Sequence, residues 1–167
     1  MAVARQIFRD AMARLGAAVN VITSDGPAGR AGCTASAVCS VTDDPPTLLL
    51  CLNRASENNA SFKKNGVVCV NTLGHGHEEL SGVFAGRTGV DIVGRFAAAQ
   101  WRKGATGAPI LADASVAFDC TISQCVEVGT HTVFFCEVQE IVLGEADQGL
   151  IYFGRSYHRL GGSAEGQ

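Results

Sequence analysis

Two long strand-like runs, Ala114 to Val126 and His131 to Gly144, are separated only by a short connection that carries Gly129. Strands joined this tightly pair antiparallel, because a parallel return needs a crossover of roughly a dozen residues or more. The rest of the chain offers many short strand-like segments and few helices, with no regular βαβ alternation. That points to a mainly β, antiparallel barrel rather than a doubly wound sheet.

Phe8, Met12 and Leu15 recur at i, i+4 and i+7, which predicts a short amphipathic helix. Val19 to Thr23 is β-branched and reads as a strand, and Asp25-Gly26-Pro27 as a turn. Ala31 to Val41 reads as one strand pairing back. Asp43-Asp44-Pro45-Pro46 breaks the chain before Thr47 to Leu52, an apolar run expected to be buried on both faces. Ser56 to Lys64 is expected to be helical, with Ser56 as cap and Lys63 and Lys64 suiting the C-terminal dipole before Gly66. Val67 to Leu73 reads as a buried strand, and Glu78 to Ala85 as a helix with Leu80, Val83 and Phe84 on one face. Gly86 to Pro109, which holds the only Trp at position 101, reads as loop. A last strand covers Leu150 to Phe153. Residues 1–160 are expected to form one domain and 161–167 a frayed tail.

Composition narrows the function. Thirteen Lys+Arg against sixteen Asp+Glu leave a net charge of −3, which argues against a nucleic-acid surface. No stretch approaches the ~18 apolar residues of a membrane span, and Arg5, Arg9, Asp10 and Arg14 interrupt any signal-peptide core. A cytoplasmic protein is expected. The seven cysteines include no C-x-x-C pair, and most lie in apolar runs such as Leu50-Cys51-Leu52 and Val68-Cys69-Val70. They read as reduced core thiols, with Cys33 beside Gly32 the best candidate for a reactive one. His75 and His77 have no third histidine nearby, so they read as a solvated loop and no metal site is expected.

Three segments carry possible chemistry. Thr34, Ser36 and Ser40 recur at even spacing; on one strand their hydroxyls point the same way, beside small residues that allow close approach to a planar polar ligand. A solvent-facing strand explains that segment equally well. Cys51 to Ser56, running on to Asn59, ends a strand at a helix N-terminus, where backbone N–H groups with Ser56 and Arg54 suit an anion or form an ordinary cap. Gly129-Thr130-His131 and Tyr152 to His158 add histidines, an arginine and aromatics.

The segments F-R-D-A-M from Phe8, A-A-V-N-V-I-T from Ala17, G-C-T-A-S-A-V-C-S-V-T-D-D-P-P from Gly32, C-V-N-T-L from Cys69, G-T-H from Gly129 and L-I-Y-F-G-R-S-Y-H from Leu150 together resemble the short-chain flavin reductases. These are the small reductase components of two-component flavin monooxygenases, similar in particular to those serving 4-hydroxyphenylacetate and pyrimidine-utilisation oxygenases. The resemblance implies an antiparallel Greek-key split β-barrel with a few short flanking helices, working as a homodimer. It implies FMN or FAD as flavin, NADH or NADPH as hydride donor, and a partner monooxygenase that takes the reduced flavin. By position, it implies that Thr34, Ala35, Ser36, Ala37, Ser40, Cys51, Leu52, Asn53, Ser56, Asn59, Phe84 and Arg87 contact the flavin. His131 would lie near the nicotinamide as the catalytic residue. Tyr152, Arg155, Tyr157 and His158 would contact the pyridine nucleotide. The resemblance also allows a non-catalytic flavin-binding barrel or a flavin-mediated corrinoid cobalt reductase of cobalamin synthesis, which looks similar. Hydride transfer itself asks for no strong acid or base, because the cofactors carry the difficult step.

Overall fold

A computed structural model of the chain describes residues 2–145 and 148–161. In chain order it runs α1 (Arg5–Met12), β1 (Ala17–Ala18), β2 (Asn20–Ser24), β3 (Ala31–Ala35), β4 (Val38–Asp43), β5 (Pro46–Asn53), α2 (Glu57–Asn65) and β6 (Val67–Thr72). A 3₁₀ turn (His75–His77) leads into α3 (Glu78–Phe84) and α4 (Ile92–Ala97). Then follow β7 (Trp101–Lys103), β8 (Pro109–Leu111), β9 (Val116–Val128), β10 (His131–Leu143), β11 (Gly149–Phe153) and β12 (Ser156–Leu160). The expected tail lies outside the described residues from 162 onward.

The hairpin expected from Gly129 forms: β9 and β10 are thirteen residues each, His131 pairs with Val128, and Gly129 takes φ 54°. Gly129 lacks the Cβ that disfavours this left-handed backbone. The hairpin is the middle of a seven-stranded antiparallel sheet in the order β3-β2-β6-β9-β10-β5-β4. β3 and β4 are therefore its two edges, yet only Ser36 and Ala37 separate them in sequence. Three Cα steps reach at most about 11 Å, whereas six flat inter-strand spacings would cover about 29 Å. The sheet must curl until its edges nearly meet, with the Ser36–Ala37 corner at the seam.

This corner corrects the reading of Ala31 to Val41 as one strand. β3 pairs with β2 and β4 with β5, so Thr34 and Ser36 do not share a strand with Ser40. The region read as loop also contains α4 and β7, which the Gly-rich flanks concealed. A further strand, β12, follows a tight turn at Gly154 and Arg155, both at positive φ. The run at 47–52 is buried on one face only: Leu50 and Leu52 are buried, while Leu49 and Cys51 are half-buried.

Curling explains why β2 and β6 are buried throughout their middles. Ile22, Val68 and Val70 face one core, which holds Leu50, Phe62, Cys120 and Phe134. Val21 and Cys69 face the other, beneath Leu80, Phe84, Phe96 and Leu111. Phe62 of α2 meets Phe134 edge-on at 6.4 Å between centroids, and burying each ring contributes about 1.5–3 kcal/mol. The periodicity of Phe8, Met12 and Leu15 does produce α1, but no residue of α1 is buried. The helix is held instead by the Asp10–Arg155 ion pair and by Gly154 N–H donating to the Ala13 carbonyl at 2.7 Å.

Candidate functional site

At the seam, the carbonyls of Ser36 and Ala37 accept from Val38 N–H and Cys51 N–H, each at 3.0 Å. The N–H groups of Ser36 and Ala37 have no protein acceptor among the described residues. Two donors with open valence thus face out of a corner built from small side chains. Asn20 holds the approach to the corner: its Nδ2 donates to the Ala35 carbonyl at 3.2 Å, and its Oδ1 accepts from Thr72 Oγ1 at 2.8 Å. The hydroxyl of Thr34 is already committed, donating to the Ser81 carbonyl at 2.6 Å.

A pocket of about 180 Å³ opens beside this corner, lined by Val19, Thr34, Ala35, Ser36, Ala85, Arg87, Tyr152 and Tyr157. The antiparallel register pairs Tyr152 with Tyr157, and their rings meet edge-on at 5.3 Å. Tyr157 is fixed by its hydroxyl, 2.8 Å from Ser81 Oγ. Arg87 reaches the pocket because α3 ends in a Schellman motif: Gly86 N–H bonds the Val83 carbonyl and Arg87 N–H the Gly82 carbonyl, each at 3.1 Å. Gly86, at φ 76°, supplies the left-handed step that turns Arg87 back over the Tyr157 ring, 5.6 Å from its centroid. Guanidinium over an aromatic face is attractive and also prepositions the charge.

A second group lies along β5 and β10. The register sets Asn53 opposite His131 and Cys51 opposite Val133, so all four side chains share one face. That face leads from the Ser36–Ala37 corner to the start of α2. Asn53 Oδ1 accepts from Ala55 N–H at 2.9 Å, and Ser56 makes no side-chain cap, which leaves its hydroxyl available. Exposed His131 has Nδ1 2.9 Å from Thr130 Oγ1. Arg54, expected to help cradle an anion here, is instead paired with Glu127.

Other expected contacts fall elsewhere. Phe84 is buried in a cluster with Phe96 and Trp101. Leu52 belongs to the core, and Asn59 is buried beneath the strand, its Nδ2 donating to Thr132 Oγ1 at 3.0 Å. These three side chains are buried in the packing and do not line the pocket. Ser40 is exposed on edge strand β4, apart from the pocket lining. Arg155 pairs with Asp10 on α1, and His158 Nε2 lies 3.1 Å from the Phe153 carbonyl, so neither joins Tyr152 and Tyr157 at the pocket. The histidine loop is ordered rather than solvated: His77 accepts from Gly74 N–H at Nδ1 and meets Asp113 at 3.1 Å through Nε2. Cys33 is buried and its thiol is pushed up to about 12 by desolvation, which removes it as a reactive thiol. Sequence reasoning did not single out Asn20, Ser81 or Ala85; the one signal for Asn20 was a lone amide inside a β-branched run.

Open backbone donors, small side chains, an aromatic wall and one prepositioned cation lie together at the seam, an arrangement suited to a flat, polar-edged ligand. The profile of the flavin reductase like domain matches residues 12–161. The chain is 61% identical over 165 residues to the FMN reductase (NADH) RutF of Ancylobacter novellus, covering 99% of this chain and 90% of that one. It is 59% identical over 153 residues to the protein of the same name from Variovorax paradoxus, covering 92% and 84%. Among solved structures, the NADH:FAD oxidoreductase SgcE6 of Streptomyces globisporus, in complex with NAD and FAD fragments, superposes with a TM-score of 0.85 at 27% identity, covering 96% of this chain and 95% of that one. The styrene monooxygenase flavin reductase of Pseudomonas putida superposes with a TM-score of 0.81 at 27% identity, covering 93% and 98%. The chain belongs to the flavin reductase family.

Proposed function

We propose that this protein is an NADH-dependent FMN reductase that supplies reduced flavin to a partner monooxygenase. The observation that carries the reading is the seam itself: unpaired N–H groups at Ser36 and Ala37 beside a pocket walled by Tyr152, Tyr157 and Arg87. Those donors suit the carbonyl and ring-nitrogen edge of an isoalloxazine. The small side chains at 35–37 permit close stacking, and Ser56 with the first turn of α2 suits the phosphate. A flavin held there supplies a two-electron acceptor for hydride from the reduced nicotinamide. The protein's part is to hold two flat rings in contact and exclude water. Tyr152 and Tyr157 close one side, and Arg87 offsets anionic charge. We assign the nicotinamide contact to His131, a reading supported by its sharing one face with Cys51 and Asn53.

The names of the relatives favour FMN and NADH, and the styrene monooxygenase reductase favours a monooxygenase as recipient. The curled sheet supports a Greek-key split barrel over residues 1–160. Exposed Ile7, Phe8 and Met12 on α1 and exposed Leu15 just after it, with exposed Phe153 nearby in the fold, support a homodimer that covers them. Seven cysteines without a disulfide suit the cytoplasm. The test is NADH oxidation followed at the nicotinamide absorbance band with added FMN. Turnover that depends on FMN is expected; none at saturating NADH and FMN overturns the reading. His131→Ala should raise KM for NADH more than it weakens FMN binding.

A further inference from the structure

Arg87 and Tyr157 line two concavities at once. On one side is the pocket at the seam; on the other is a more open cleft of about 400 Å³, lined by Gly76, Glu78, Glu79, Arg87, Tyr157 and Arg159. The cleft carries both signs of charge. Arg159 lies 3.5 Å from Glu78, and Arg87 rests over Tyr157. Exposed Glu79 has no ion-pair or hydrogen-bond partner among the described residues. No atom lies within 4 Å of where a Cβ on Gly76 would stand, so the chain leaves that wall open.

We propose that this cleft takes the adenosine diphosphate half of the reduced pyridine dinucleotide, and that Glu79 selects NADH over NADPH. The inference rests on the reductase reading. With the nicotinamide stacked on a flavin held at the seam, the wall shared by the two concavities gives the rest of the dinucleotide a way out, and Arg87 stands there for its diphosphate. Arg159 adds a second cation farther along. An unpaired carboxylate beyond them accepts hydrogen bonds from ribose hydroxyls and repels a 2′-phosphate, so it discriminates by attraction and by repulsion together.

The test compares wild type, Glu79→Gln and Arg159→Ala with FMN bound. It measures kcat/KM for NADH and NADPH, calorimetric binding of ADP-ribose, and FMN affinity by fluorescence titration. Glu79→Gln should raise the NADPH-to-NADH ratio of kcat/KM by about tenfold. Arg159→Ala should weaken ADP-ribose binding and raise KM for NADH, each by about tenfold. FMN affinity should stay within twofold of wild type in both. An unchanged ratio in Glu79→Gln overturns the selection, and unchanged ADP-ribose binding in Arg159→Ala overturns the location. A loss of FMN affinity in Arg159→Ala instead assigns the cleft to the flavin phosphate and also overturns it. Absence of NADH oxidation in the wild type is a separate failure, that of the reductase reading.

Discussion

Gly32→Ala should destabilise the protein and loosen the flavin pocket without touching it. A Cβ at Gly32 would stand 2.8 Å from Phe84 Cε1, 3.1 Å from Cδ1 and 3.3 Å from the Ile22 carbonyl. The Phe84 ring has little room to retreat, since it packs edge-on against Phe96 at 5.4 Å and Trp101 at 5.6 Å. Overpacking of this kind costs about 1–3 kcal/mol. Stiffening the unfolded chain returns roughly 0.4–1 kcal/mol. The net loss is then about 1–2 kcal/mol, or about 2–8 °C in Tm for a domain of this size. Because Ala85 follows Phe84 directly and Arg87 lies two residues beyond that, a displaced ring moves the pocket wall, and FMN affinity falls with stability. Gly82→Ala, on the same helix, is the control: nothing lies within 4 Å of its Cβ, and alanine in a helix interior gains about 0.5–1 kcal/mol. Urea unfolding followed by Trp101 fluorescence reads both. A Gly32→Ala midpoint equal to wild type, or a Gly82→Ala midpoint below it, refutes the packing argument.

Asp119 is buried and accepts from Thr106 N–H at 2.7 Å and Thr106 Oγ1 at 2.6 Å. Asp119→Ala strands those donors and should cost about 1–3 kcal/mol in urea unfolding while leaving FMN affinity unchanged. Glu127 is held below the usual carboxylate range chiefly by its hydrogen bond from Lys63, with Thr132 and Arg54 adding to it. Its folded pKa is depressed, so its contribution is present above the unfolded value of about 4.3 and is lost as pH falls through the folded one. Glu127→Gln should therefore flatten the acid side of the stability profile between about pH 5 and 3, and an unchanged acid slope refutes the assignment. A thiol reagent at neutral pH should label exposed Cys39 and Cys125 in the native protein. Cys33 and Cys136, both pushed up to about 12 by burial, should react only after unfolding.

The elements legible in the sequence are those set by local chemistry. The β9–β10 hairpin, the α2 terminus before Gly66 and the α3 face of Leu80 and Phe84 follow from turn residues and periodicity, which need no partner to be read. The misreadings share a different cause. Ala31 to Val41 looks continuous because nothing in its composition marks the point where the chain changes partner from β2 to β5. Position-by-position inheritance also cannot tell a ligand contact from the residue behind it. Leu52 sits one face away from Cys51 and Asn53 by strand parity, and Asn59 turns from α2 toward buried Thr132, so neither is told from a ligand contact by its place in the chain.

The location of the site then follows from the curled sheet. A sheet with β3 and β4 at its edges, joined by two residues, must turn sharply where neither edge can supply a ladder partner. Backbone donors at that turn have no protein acceptor and have to be met by water or by a ligand. The side chains there, Ser36 and Ala37, are small and exposed, which leaves the open donors accessible. Those two features, open N–H groups and minimal bulk, are also what a flat ligand with acceptors along its edge requires. Replacing Ala37 with a bulky residue therefore tests both at once. Ala37→Leu should weaken FMN binding more than it lowers stability, since the carbonyl of residue 37 still accepts from Cys51 N–H. Equal loss of both would mean that the corner serves the fold alone.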